Sequence, residues 1–307
     1  MFQVYQATQL FALFYPEFDH YWQWEMDIRI LGDTLRYLEA VSTFARNEPR
    51  KQSVERSSYL HISKAQGSYS EFMAAVNLSL NGGATIWGPL RIPDITPIGP
   101  PPPTPHPEDD NFSWGVGEDA DVIVTNPCSK VLEQQTWVFR SWIGGFRNST
   151  GTPRITCPTA IMRGSRQLLL AVHDAQANYG LYLPSEATLP SFALWHGLKL
   201  SYPPWPWYSN LRHDEKFMDE FFNGGLPASH SDGWAHGEGF YNQLNHPDLT
   251  AGSTWWWYSD FPDQIMKRWF LRNGTDAYVG EEMPFILKIY NGEVWAPNVA
   301  LHPAKWH

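Results

Sequence analysis

The sequence predicts an α+β protein in which helices dominate. Three observations carry that expectation. Apolar residues recur at helical spacing in successive stretches of the chain. One segment, Pro89 to Pro107, holds nine prolines in nineteen residues and cannot be helix or central strand. Near the C-terminus an Asn-Gly pair separates two apolar runs, the pattern of a β-hairpin.

From the N-terminus, Phe2 to Tyr15 places Val4, Tyr5, Thr8, Phe11, Ala12 and Tyr15 at helical spacing. Pro16 ends this helix and opens a second, with Glu17 and Asp19 in the first turn, where the helix dipole favours acids. Phe18, Trp22, Met26 and Ile30 continue it at i, i+4. After Gly32, Asp33 is placed to cap a third helix carrying Leu35, Leu38, Val41 and Phe44, stopped by Asn47 to Pro49. Residues 47–67 are polar and mixed. Arg46, Arg50, Lys51 and Arg56 are expected to be solvated there. Ser68 to Glu71 has the form of a capping box before a helix presenting Phe72, Met73, Val76 and Leu80, ended by Asn81 to Gly83.

The proline segment should run as extended polyproline on the surface. Asp121 to Val124 reads as a short strand. Val131 to Phe146 is apolar, with Trp137 and Trp142. Ser165 to Asn178 reads as a helix turning Leu168, Leu169, Val172 and Ala175 inward, with Gly180 past its end. Tyr202 to Tyr208 is irregular and aromatic. Leu211 to Phe222 is a helix capped by Asn210, and Asp260 caps another through Arg272. Phe285 to Tyr290 and Glu293 to Trp295 flank Asn291–Gly292 as the hairpin. The proline segment thus divides the chain. Residues 1–88 form an N-terminal helical region. Residues 89–160 form an irregular region serving as a protrusion or inter-subunit arm. Residues 161–307 form a mixed helical region packing on the first.

Composition narrows the function classes. The 307 residues include 16 Trp, 14 Tyr and 17 Phe, while only 18% are charged, below the usual quarter. Aromatics enriched over charge is the composition of an interface core. A net charge of −10 gives no general affinity for phosphate backbones or anionic membranes. No apolar run reaches the roughly 20 residues that cross a bilayer. The first basic residue is Arg29 and no small-residue cleavage site precedes it, so no signal peptide is read. Cys128 and Cys157 match no zinc or redox spacing and are expected as reduced thiols in a cytoplasmic protein.

No phosphate loop, dinucleotide fingerprint, nucleophile elbow, kinase signature or zincin helix occurs, so no catalytic residue, cofactor or metal is assigned. His230, Asp232, His236, Glu238 and His246 are the residue types a divalent metal needs, but their spacing fits no ligand pattern. Asp19 and Glu25, with His20, Tyr21, Trp22 and Trp24 between them, are the parts of a ring-lined acid pair for a sugar. On a helix, though, residues six apart do not share one face well, and a helix–helix seam explains the rings. Trp205, Trp207 and the run Trp255, Trp256, Trp257 lack the Lys and Arg that flank nucleic-acid stacking platforms. They are assigned to an interface, together with Trp22, Trp24, Pro101 and Pro102.

The layout of aromatic N-terminal helices (Phe11 to Phe44), Pro-rich middle (Pro89 to Pro107) and C-terminal rings (Trp255 to Trp257) resembles the capsid proteins of small double-stranded RNA viruses of the partitivirus type. The resemblance implies a self-assembling shell subunit of helical fold with an irregular protrusion. Its partner would be itself, in a large homo-oligomer in the host cytoplasm and virion, holding its genome weakly. A chain without a basic arm suits that. The alternative function is an enzyme acting on a carbohydrate or small aromatic molecule in a Trp-lined cleft. A binding module for another protein is a third.

Overall fold

A computed structural model describes residues 3–30, 34–83, 85–135, 137–204, 215–226 and 232–237, with short strands at 288–290, 293–295 and 300–301. In chain order the elements are α1 (Gln6–Phe14), β1 (His20–Trp24), β2 (Arg29–Ile30), α2 (Thr34–Asn47), α3 (Ser53–Arg56), α4 (Ser63–Gln66) and α5 (Tyr69–Ser79). There follow β3 (Val122–Val124), β4 (Ser129–Lys130), β5 (Ile155–Thr156), β6 (Ile161–Ser165), α6 (Arg166–Tyr179), α7 (Ser185–His196) and β7 (Leu200–Ser201). The last are α8 (Glu215–Asn223), β8 (Lys288–Tyr290), β9 (Glu293–Trp295) and β10 (Ala300–Leu301). The class is α+β.

The organising sheet has the order β1-β6-β3-β7. β1 runs antiparallel to β6 with His20 opposite Ser165 and Trp24 opposite Ile161, β3 is antiparallel to β6, and β7 is parallel to β3. Alternation along β3 sorts the layers. Ile123 packs with Ala45 of α2 on one face, while Val122 and Val124 join the main core on the other. Gly164 of β6 lets the helices come close on that second face: a Cβ there would lie 3.3 Å from both Leu169 of α6 and Leu189 of α7. Ser165 caps α6, accepting from the Leu168 N–H, and Gly180 ends it in the left-handed region at φ 64. The four buried residues of α6 are Leu168, Leu169, Val172 and Ala175, the stripe the sequence predicts.

Several expectations are corrected. Residues expected as a helix from Pro16 to Ile30 contain strand β1, because His-Tyr-Trp-Gln-Trp also alternates with period two. Its β-favouring rings pair with the edge of β6. Expected solvated, the basic cluster after α2 is instead largely buried. The Arg56 side chain pairs with Glu48 (3.3 Å), both nearly inaccessible, and donates to the carbonyls of Lys51 (2.6 Å) and Pro49 (2.9 Å). Glu48 also accepts from the Tyr69 and Ser201 hydroxyls. Such a pair survives burial because each guanidinium nitrogen finds an acceptor. Arg46 alone of the four stays exposed. Helix α7 has no stripe to mark it: all but Glu186 of its residues are buried, so it lacks an amphipathic period, and Pro190 lies inside it.

The proline segment is irregular, as expected, but it is bound to its own chain. Ile92 joins the core, the Leu90 N–H donates to the Leu194 carbonyl (3.0 Å), and the Gly99 N–H donates to that of His196 (2.9 Å). Trp87 reaches the Thr104 carbonyl (2.8 Å), and Lys51 donates to that of Asp110. One core cluster runs from Tyr5 through Ile92, Val122 and Leu169 to Trp234, drawing on all three regions expected from the sequence.

Cys128 and Cys157 form a disulfide, against the expectation of two free thiols. The pairing of β4 with β5 sets Ser129 opposite Thr156 and so carries the preceding and following residues, the two cysteines, to Cα atoms 4.3 Å apart. Sequence spacing of the cysteines contains no trace of two two-residue strands. The β8–β9 hairpin is present, with Tyr290 opposite Glu293. The expected Asp33 cap and the helix from Asp260 to Arg272 lie outside the described residues.

Candidate functional site

The N-terminal end of β1 opens into two adjoining cavities. The larger, about 610 Å³, is lined by Asp19 and His20, by Arg50, by Glu118 and Asp119 from the loop before β3, and by Arg166 at the start of α6. The smaller, about 490 Å³, is a ring-walled groove between α1 and β1 with Phe11, Phe18, Tyr21 and Trp22. His20 lines both.

Asp121 builds the floor of the larger cavity. Its Oδ1 accepts from the Ser165 hydroxyl (2.8 Å) and the Gln167 amide (2.6 Å), and its Oδ2 from the Lys199 N–H (2.9 Å). One carboxylate thus ties the ends of β6 and β3 to the approach of β7. The acidic loop is held by Lys199, whose buried ammonium donates to the carbonyls of Arg46 (3.1 Å), Gly115 (2.6 Å) and Glu118 (2.8 Å). Burial pulls the Lys199 pKa down to about 8, with Glu48 opposing. Arg50 ion-pairs with Glu118 (2.9 Å) and donates to the Gly197 carbonyl (3.0 Å). Asp19 is fixed through its backbone, its carbonyl accepting from the Arg166 N–H (2.7 Å).

What remains uncommitted is informative. The carboxylates of Asp19 and Asp119 form no hydrogen bond or ion pair with a described residue, and the His20 imidazole has no hydrogen-bond partner among them. Burial, followed by the charge of Arg163, lowers the His20 pKa below its ordinary value, while Asp119, Asp121 and Asp19 pull the other way. At neutral pH this is a neutral imidazole beside two free carboxylates and a wall of rings. Such a group accepts a proton.

The sequence-predicted positions scatter around this cleft. Trp22 lines the groove, and both Trp22 and Trp24 are half-buried against the chain's own core. Asp19 and Glu25 flank β1 at its two ends, about 20 Å apart at 3.3 Å per residue, beyond any glycosidase spacing. Glu25 accepts from Thr159 (3.3 Å), and burial, with Glu25 adding, raises the pKa of Glu186. Pro101 is exposed and Pro102 packs against Gly88. Trp205, Trp207, Trp255, Trp256 and Trp257 lie outside the described residues, as do His230, Glu238 and His246. Asp232 bridges His236 (2.8 Å) and Lys130 (2.5 Å). Burial opposes its ionisation, yet these donors hold its pKa down at about 2. Among the described residues no group of three or more His, Cys, Asp or Glu side chains is placed to hold a metal ion. Also among them, no helix is long and apolar enough to cross a membrane. The sequence reading gives Glu118 and Asp119 no role and places Asp121 only at the start of a short strand; the run Glu-Asp-Ala-Asp before that strand is the signal that marks them.

A family model described as "Protein of unknown function (DUF3405)" matches residues 1–306. No curated protein and no solved structure matches the chain.

Proposed function

The chain belongs to the DUF3405 family, whose description assigns no activity, and we propose from its geometry that it is an enzyme acting on a carbohydrate or similar polyhydroxylated molecule in the cleft at the head of β1. The observation that carries this reading is the meeting, at His20, of an acid-lined cavity with a ring-lined groove. Sugars present apolar C–H faces that stack on aromatic rings and hydroxyls that carboxylates accept. Trp22 and Phe18 supply the rings, with buried Tyr21 behind them. Asp19 and Asp119 hold hydroxyls, and neutral His20 takes a proton from the reacting one. The disulfide supports a working place in an oxidising compartment rather than the cytoplasm.

Binding of an oligosaccharide panel, followed by calorimetry on the best ligand, tests this. Asp119→Asn and Trp22→Ala should each weaken binding at least about tenfold, since each removes a direct contact. His20→Gln should abolish turnover while leaving affinity within a few-fold. Turnover should fall on acidification only below the ordinary histidine range of about pH 6.5. A panel without a binder, or a binder indifferent to all three changes, ends the proposal.

A self-assembling shell subunit enclosing double-stranded RNA is the second reading. One observation favours it, the apolar outer face of α1. Light scattering separates the two readings, since a shell requires a particle of very many copies.

A further inference from the structure

Helix α1 is turned inside out. Its buried residues are Thr8, Gln9 and Ala12. Thr8 donates to Gln23 of β1 (2.7 Å), Gln9 donates to Gln176 of α6 (3.1 Å), and the Ala12 carbonyl accepts from Arg166 (3.0 Å). The outward side carries the large apolar groups. Phe14 is 72% exposed, and Leu10, Phe11, Leu13, Tyr15 and Phe18 are between 44% and 50% exposed. Of the residues that the sequence places at helical spacing here, Tyr5, Thr8 and Ala12 are buried while Phe11 and Tyr15 face outward. The rings form one surface: Phe11 stacks on Tyr15 (4.3 Å between centroids), and Phe11 and Phe18 both meet Tyr21 edge-on (5.9 and 6.3 Å).

We infer that this face is the interface of a two-fold symmetric dimer of this chain. Three features choose a second copy as the occupant. Residues 1–16 carry no charged side chain, so the helix meets its own copy without like-charge repulsion along its length, and Glu17 and Asp19 lie only at the edge of the face. The six exposed groups amount to about three fully exposed aromatic residues, on the order of 600 Å² per copy at roughly 200 Å² each. Two copies therefore bury up to about 1,200 Å², the lower bound of a stable interface. A lipid surface fits poorly, because the flanking charges are Glu17 and Asp19 and no Lys or Arg precedes Arg29, whereas interfacial helices carry basic residues. A two-fold contact pairs the face with itself and closes at two copies. Phe11 and Phe18 belong both to this face and to the groove beside His20, so the partner copy would roof that groove. The inference stands on the face itself and not on the enzymatic reading.

The test is sedimentation equilibrium of the whole chain at micromolar concentration, with Phe14→Glu and Leu10→Glu compared with the parent. A dimer is expected, with each substitution raising its dissociation constant at least about tenfold. Both side chains project from the fold, so circular dichroism and the melting midpoint of the diluted variants should match the parent. Hydrogen exchange on the unsubstituted chain should show residues 6–18 protected at high concentration and released on dilution. A monomer throughout, a particle larger than two copies, or a dimer unmoved by both substitutions overturns the inference. So does a monomer that floats with phosphatidylcholine–phosphatidylserine vesicles, which would assign the face to lipid.

Discussion

His61 sits between the rings of Tyr69 and Phe72, 5.7 and 5.0 Å away, in a cluster with Tyr59. Burial drives its pKa down to about 4, with a backbone bond at Gly67 opposing. The unfolded chain protonates near pH 6.5, so between that value and about 4 it binds a proton that the folded chain refuses. Stability is therefore full above about pH 6.5 and falls as the pH drops towards 4. The drop attributable to this one group is about 3 kcal/mol at most. Urea melts at stepped pH should show it, and His61→Phe, which suits the ring cluster, should flatten the curve over that window. An unchanged slope would mean that His61 reaches solvent. The buried Arg56–Glu48 pair is kept charged by the opposite means, committed partners, and neither burial was readable from composition: a basic residue in a polar stretch looks solvated until its acceptors are placed around it.

At the scale of elements, the disulfide replaces long ladders. β4 and β5 are two residues each, too short to hold the segments they join. Closing a loop of this span, 29 residues apart in sequence, is worth about 3–4 kcal/mol. Reduction under native conditions should lower the unfolding free energy by about that amount, read from paired denaturation curves. Helices α1, α2, α5, α6 and α8 were legible because each has a one-sided stripe, a cap or a stop: Ser68 with Glu71, Ser165, Gly180 and Gly224. The strand at His20–Trp24 was not, because rings at both period two and period four satisfy either element, and only the edge of β6 decides. α7 was illegible for the opposite reason. A helix buried on every side has no stripe. The candidate site was legible in part. His20, Trp22 and Asp19 stood out as residue types, but the acids of the loop before β3 join them only through the sheet order, which no local pattern encodes.

For the whole molecule the proline segment is the test of unity. Read alone it looks like an arm that leaves the core. In the structure Ile92, Leu90 and Gly99 tie it to the core and to the end of α7, and Asp110 accepts from the Phe112 (2.8 Å) and Trp114 (3.1 Å) N–H groups to turn the chain towards the acidic loop. Deleting residues 89–110 should therefore cost the native fold itself, seen as loss of the cooperative thermal transition in circular dichroism. A deletion variant that melts as sharply as the parent would restore the arm. The same unity sets the character of the cleft. Asp121, whose two oxygens take three donors from three separate elements, is spent on joining the sheet's strands. Its lone pairs are largely committed before any ligand arrives, but the donors are neutral and its charge remains. A molecule entering the cavity thus meets Asp121 as a fixed field beneath it and Asp19 and Asp119 as the carboxylates left to bind, the rails of a channel above a charged bed.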